Sequence, residues 1–219
     1  TATFGYVDGG TDPGATIQAT LGVDSLMASV TVVSVLGTLV INEVDYDQIG
    51  TDVDEFVEIY NGTGTARDMT GLALVFVNGA TSIEYLRVDL SSAGSLPAGG
   101  YLVVASTTVV VDPAALRLAF VAASNSVQNG APDGVALVDT AASVVIDVLA
   151  YEGPITAATI TGITGTVSLV EGTALAATVA DSNVAAASLI RNPNGSDTND
   201  AATDWVLSMT PTPGAVNVP

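Results

Sequence analysis

The sequence predicts an all-β sandwich, and three observations carry that prediction. Sustained helical periodicity is scarce, the apolar runs are short and rich in Val, Ile and Thr, and Gly, Asn, Asp and Pro separate one run from the next. Four Asn-Gly pairs, beginning at Asn61, Asn78, Asn129 and Asn194, add turn signals between the runs.

In chain order the predicted strands are VTVVSVL (30–36), TLVINEVD (38–45), EFVEIYN (55–61), GLALVFVN (71–78), EYLRVDL (84–90) and GYLVVAS (100–106). They continue with GVALVD (134–139), SVVIDVLAY (143–151), TVSLVE (166–171), ASLIR (187–191) and DWVLSM (204–209). Each is a β-branched or aromatic run bounded by turn formers. One helix is predicted, DPAALRLAFVAA over 112–123, with Asp112 as N-cap and Pro113 at the first helical position.

Residues 1–37 differ from the rest and form a candidate separate unit, an N-terminal extension preceding a domain over 38–219. A Gly- and Asp-rich turn leads into a stretch that is apolar on both faces. Leu26, Ala28, Val30, Val32 and Leu36 share one face, and Met27, Val33 and Val35 the other. Such a strand suits cover on both sides. Two readings stand: further strands of the same sandwich, or an additional β arm that pairs with the sheet edge of a second copy through Leu26, Val30, Val32, Val33, Val35 and Leu36. The uncharged run Ser25–Asn42 reaches the length of a membrane span, but Ser, Thr and Gly interrupt it and β-branched residues dominate, so a buried strand is the preferred reading.

Composition excludes several functions. The chain carries 23 acids against four arginines, Arg67, Arg87, Arg117 and Arg191, for a net charge of -19, and it has no Lys, His or Cys. Nucleic-acid backbones and anionic membrane surfaces need clustered cations, which four scattered arginines do not supply. Without His or Cys, the sites left for a metal are oxygen-only sites for hard cations, with calcium the natural candidate. Disulfides and Lys-Asn crosslinks are excluded as well. A hydrophobic fraction of 48% with 12% charged residues argues for a buried core and against disorder. Starting at Thr1 with no basic or apolar leader, the sequence reads as a chain processed after export, or one trimmed.

From LVINEVDYDQIGTDVDEFVEIYNGTG (39–64) onward the chain resembles a bacterial lamin-tail domain. The likeness continues in order through DMTGLALV (68–75), SLPAGGYLVVAS (95–106), SVQNGAPDGVALVD (126–139), VVIDVLAYEG (144–153) and the closing ASLIRNPNGSDTNDAATDWVLSMTPTPGAVN (187–217). It implies an immunoglobulin-like β-sandwich and a non-catalytic module of secreted or cell-surface proteins. Residues 1–37 and the Ala/Thr-rich stretch 152–186 depart from the family pattern. The heptads of a lamin rod are absent from the sequence, so nuclear filament biology does not transfer.

Five carboxylates crowd DYDQIGTDVDEF (45–56). A general acid-base pair would need a cleft that drives two pKa values apart, and nothing nearby in sequence provides one. Asp45, Asp47, Asp52 and Asp54, together with Asp197, Asn199 and Asp200 of a second acidic loop, are therefore candidate calcium ligands, although their spacing does not match an EF-hand. The competing reading is solvation and turn formation. Glu58 shares a strand face with Phe56 and Tyr60, so burial of that face would demand a partner, for which Arg191 is the candidate. Asn61-Gly62-Thr63 and Asn194-Gly195-Ser196 match the N-glycosylation pattern, and Trp205 reads as core.

Two functions follow as expectations. The first is an extracellular or cell-surface structural protein that is not an enzyme, a filament or surface-layer subunit whose partner is itself. Its scarcity of trypsin-type cleavage sites suits that setting. The second is a monomeric calcium-dependent module binding a glycan or protein.

Overall fold

The computed structural model describes residues 38–219. The arm residues Leu26, Val30, Val32, Val33, Val35 and Leu36 lie outside the described residues. Twelve strands succeed one another: β1 Leu39–Asp45, β2 Phe56–Asn61, β3 Arg67–Asp68, β4 Leu72–Asn78, β5 Ile83–Asp89, β6 Ser95–Leu96, β7 Tyr101–Ala105, β8 Leu116–Ala119, β9 Asp133–Asp139, β10 Val144–Tyr151, β11 Ser188–Arg191 and β12 Trp205–Ser208. A single helical turn, α1 Ala201–Asp204, precedes β12, capped by Asp200, whose carboxylate accepts from the Thr203 amide.

Two sheets form the sandwich. One has the order β12-β11-β1-β2-β7-β8 and the other β10-β9-β4-β5, with β3 and β6 forming a small separate ribbon. Neighbouring strands are antiparallel except β8, which runs parallel to β7. Between the sheets, Leu39, Ile41, Val57, Ile59, Leu102 and Val104 pack against Leu72, Leu74, Phe76, Val135, Leu137 and Leu149. The alternating positions account for this layer, since every second side chain of a strand shares a face.

Both sheets are also covered on their outer faces, which accounts for the low charge and high apolar content of the strands. Outside the four-stranded sheet, Ala73, Val75, Val77, Ala136, Val138 and Val148 bury against Ile155, Ala158, Ile160 and Leu169. The Ala/Thr-rich stretch 152–186 thus supplies a cover for that sheet. Outside the six-stranded sheet, Phe56, Val103 and Ala105 bury beneath Val109.

Two sequence expectations need correction. Residues 112–123 are not a helix: Asp112 does receive the Ala114 amide on its side chain and the Ala115 amide on its carbonyl, but the turn stops there and β8 follows. Leu116–Ala119 alternates half-buried and exposed side chains with period two, and pairing along β7 satisfies backbone groups that would otherwise form an open edge. TVSLVE is likewise not a strand. Its only pairing among the described residues is one bridge between Val167 and Ala158, because the segment serves as cover rather than as a member of a sheet. No described helix is long and apolar enough to cross a membrane.

Candidate functional site

The deepest polar feature lies where β1 and β10 meet. Both strands carry a register irregularity, between Ile41 and Glu43 in β1 and between Val145 and Asp147 in β10. Such bulges leave ladder groups unpaired. Here two side chains take them up: Asp147 Oδ2 accepts from the Ile41 amide at 2.6 Å, and Arg191 Nε donates to the Ile41 carbonyl at 2.8 Å. Arg191 NH2 and Asp147 Oδ1 then close the pair at 2.8 Å, linking the two sheets through fully buried groups.

Arg191 is shared among four carboxylates. Its NH1 lies 3.3 Å from Asp204 and 3.5 Å from Asp197, and its NH2 lies 3.6 Å from Glu171. The guanidinium also sits 5.0 Å from the centre of the Trp205 ring, which is buried as expected. Asp204 further accepts from the Thr198 amide at 2.8 Å and the Thr198 hydroxyl at 2.9 Å. One cation among four acids leaves a local excess of negative charge. Burial, followed by the Asp147 charge, pushes the Glu171 carboxyl up to about 8.

Glu58 and Arg191 do not pair, which corrects the sequence expectation. Arg191 shares the inner face of β11 with Leu189, whereas Glu58 shares the outer face of β2 with Phe56. The demand for a partner was nevertheless real, and the chain terminus meets it. Glu58 accepts from the Asn42 side-chain amide at 2.7 Å and from the Gly214 backbone amide at 2.6 Å. Its cross-strand neighbour Glu43 accepts from the Ser188 hydroxyl at 2.6 Å and from the Thr212 amide and hydroxyl, each at 2.9 Å. Asn217 donates to the carbonyls of Asn42 and Arg191 at 3.1 and 2.9 Å. The closing TPTPGAVN motif is thus a latch over the outer face of the six-stranded sheet. Burial raises the pKa of both Glu43 and Glu58 above the ordinary carboxyl range.

Glu58→Ala is expected to leave the buried Gly214 amide without an acceptor, at about 1–3 kcal/mol, while the Asn42 side-chain amide keeps the Asn194 and Asn217 side-chain oxygens. A lower urea midpoint and faster exchange of the Gly214 amide would record the loss. An unchanged midpoint would show that the latch contributes nothing.

The acidic segment DYDQIGTDVDEF is spent largely on the protein's own backbone. Asp45 is buried beside Asp181, with Gln48 Nε2 donating to it, and Asp181 accepts from the Tyr46 and Asp47 amides at 3.2 Å each. Burial and then the Asp181 charge push Asp45 up to about 8, while burial pushes Asp181 up to about 6 against its three backbone hydrogen bonds. Asp52 accepts from the Gln48 amide at 3.1 Å and from Asn129 at 3.2 Å. Glu55 holds a second loop, accepting from the Ser126 and Val127 amides at 2.8 and 3.1 Å, and burial pushes it up to about 7. Tyr46 stacks on Tyr151 with ring centres 4.2 Å apart, and its hydroxyl accepts from the Asp181 amide.

Of the seven candidate calcium ligands, one enters a close carboxylate group. Among the described residues that group is Glu171, Asp197 and Asp204, with one oxygen from each within 4.8 Å of the others. Asp45 pairs with Asp181, Asp47 supplies a backbone amide to Asp181, Asp52 holds its own loop, and Asp54 is exposed. Asp200 caps α1 and also receives the Thr173 amide at 3.0 Å, while Asn199 donates its backbone amide to Asp197. The glycosylation triplets are occupied internally too. Asn61 is fully buried with its side-chain amide donating to the carbonyls of Thr65, Leu96 and Pro97, and Asn194 donates to the Tyr101 hydroxyl.

Sequence reasoning missed Asp147, Glu171 and Asp181. The signal available for Asp147 was an acid inside the otherwise apolar strand VVIDVLAY, at a position that alternation places among core residues.

Two covered sheets and an inter-sheet ion pair define an immunoglobulin-like sandwich whose polar interior organises the fold itself. The Lamin Tail Domain family model matches residues 33–153, more than half of the chain. The chain belongs to that family of non-catalytic, immunoglobulin-like domains. The match ends before β11 and β12, so the resemblance read over 187–217 lies outside it. No curated protein and no solved structure matches the chain.

Proposed function

We propose that the protein is a non-catalytic structural subunit of an extracellular or cell-surface assembly, a filament or layer built from copies of itself. One observation carries this reading. The buried carboxylates are taken up within the fold, Asp147 and Glu55 by backbone amides, Asp147 also by Arg191, and Asp45 by the Gln48 side chain, whereas the sandwich leaves the strand edges of β5 and β8 without a further ladder partner, apart from one bridge from Ile83 to Thr159, among the described residues. Open edges are where a β-protein joins another chain. Electron microscopy of the full chain tests it. Ordered fibres or sheets are expected, and dispersed particles at all concentrations would overturn the reading.

The second reading, calcium-dependent binding of a glycan or protein, is favoured by one observation: Glu171 Oε2 is buried within the Glu171–Asp197–Asp204 group and has no hydrogen-bond partner. Oxygen ligands of this kind suit a hard cation, although Arg191 already supplies positive charge there. Calorimetric titration with calcium chloride distinguishes the two. Saturable binding lost in Glu171→Gln supports the module, and absence of heat discards it.

A further inference from the structure

The four Asn-Gly pairs are alike in sequence and unlike in their surroundings. In such a pair the glycine nitrogen can attack the side-chain carbonyl carbon of the asparagine, because no Cβ shields that nitrogen and the backbone turns freely there. Where the fold holds both groups by hydrogen bonds, attack requires local opening.

Three of the pairs are held in this way. Asn61 is buried, its side-chain oxygen accepts from the Thr63 amide at 3.1 Å, and the Gly62 amide donates to the Thr38 carbonyl at 3.0 Å. At the end of β4, Asn78 donates to Gln128 Oε1 at 2.6 Å and accepts from the Ala80 amide at 3.0 Å, while the Gly79 amide donates to Asp133 Oδ1 at 2.9 Å. Asn194 accepts from the Asn217 amide at 3.0 Å, and the Gly195 amide donates to Asn42 Oδ1 at 2.8 Å.

Asn129 differs on each count. It is the one exposed asparagine of the four, and it lies in the irregular connection between β8 and β9. Among the described residues its side chain makes a single hydrogen bond, donated to Asp52 at 3.2 Å on the surface. The Gly130 amide approaches Asp133 Oδ2 without completing a hydrogen bond.

We propose that Asn129 is a modification site, at which the folded protein converts without an enzyme to aspartate and isoaspartate. Hydroxide takes the Gly130 amide proton, and the nitrogen bonds to Asn129 Cγ. The Cγ–Nδ2 bond then breaks, and the leaving nitrogen takes a proton from water, departing as ammonia and regenerating the hydroxide. Water opens the succinimide ring at either carbonyl. Each product sets a carboxylate where Asp52 had a donor, so repulsion replaces a hydrogen bond. Asp52 also accepts from the Gln48 amide, and its carbonyl receives the Asn125 amide at 3.1 Å, so the change loosens the 47–54 loop from the β8–β9 connection.

The arginines permit a direct test. Cleavage after Arg67, Arg87, Arg117 and Arg191 places each Asn-Gly pair in its own tryptic peptide, 1–67, 68–87, 118–191 and 192–219. The full chain is held folded in neutral buffer at physiological temperature, sampled over weeks and digested, and deamidation is read by mass and located by fragmentation. Conversion is expected first in 118–191, at Asn129, and is abolished there by Asn129→Gln, whereas in urea all four pairs should convert together. Absence of conversion at Asn129, equal conversion at another pair of the folded chain, or a preference for 118–191 that persists in urea would overturn the proposal. Asn129→Asp, which copies the aspartate product, is expected to speed exchange of the Gln48 and Asn125 amides, and unchanged exchange would overturn the loosening of the loop.

Discussion

Arg191→Gln is expected to cost about 3–5 kcal/mol of stability, the loss that follows when one member of a buried ion pair is removed. Two consequences combine. Asp147 and Asp204, both buried, lose their counter-charge, and the Ile41 carbonyl loses its donor at the β1 bulge. Asp147→Asn should cost less, because the side-chain amide oxygen that the substitution introduces can still accept from Ile41, and Arg191 keeps Asp204, Asp197 and Glu171. Urea unfolding of both variants beside the parent chain measures the order. Equal losses would mean that the cost lies in the bulge hydrogen bonds rather than in the stranded charge.

Stability is expected to fall as pH rises from about 4.5 to 8, the reverse of ordinary acid denaturation. Asp45 and Glu171 are pushed up to about 8, Glu55 to about 7 and Asp181 to about 6, whereas unfolded carboxyls titrate near 4. Between those limits the folded chain binds more protons than the unfolded one. The stabilisation is therefore complete below the unfolded pKa and is lost through the folded values. Each retained proton contributes about 1.4 kcal/mol per pH unit. Urea midpoints at pH 5, 6, 7 and 8 should decline in order, and a flat or rising series would refute the linkage. Asp45→Asn should raise the midpoint at pH 8 and change it little at pH 5, since an amide can accept from Gln48 without placing a second charge beside Asp181.

The buried charged groups differ in how legible they are from sequence. Glu58 announced itself, because alternation placed a charge on the same face as Phe56, and the structure does bury that face. What alternation also contained, unread, was that Arg191 shares its face with Leu189 and so points away from Glu58. Asp181 carried no such signal. It sits in an irregular Ala-rich stretch, 135 residues from the Tyr46 amide it receives, and no local pattern encodes a contact of that range.

By itself the sequence determined the all-β class, most strand positions, the family and the lack of thiol and imidazole groups, because these rest on composition and on a two-residue period local to each strand. Tertiary structure alone decided that Leu116–Ala119 joins β7, that 152–186 covers a sheet, that the terminus latches onto Glu43 and Glu58, and that Arg191 gathers four acids. Each of those depends on which distant backbone groups lack a partner once the sheets form, and burial makes an unpaired group costly enough to select the segment that satisfies it.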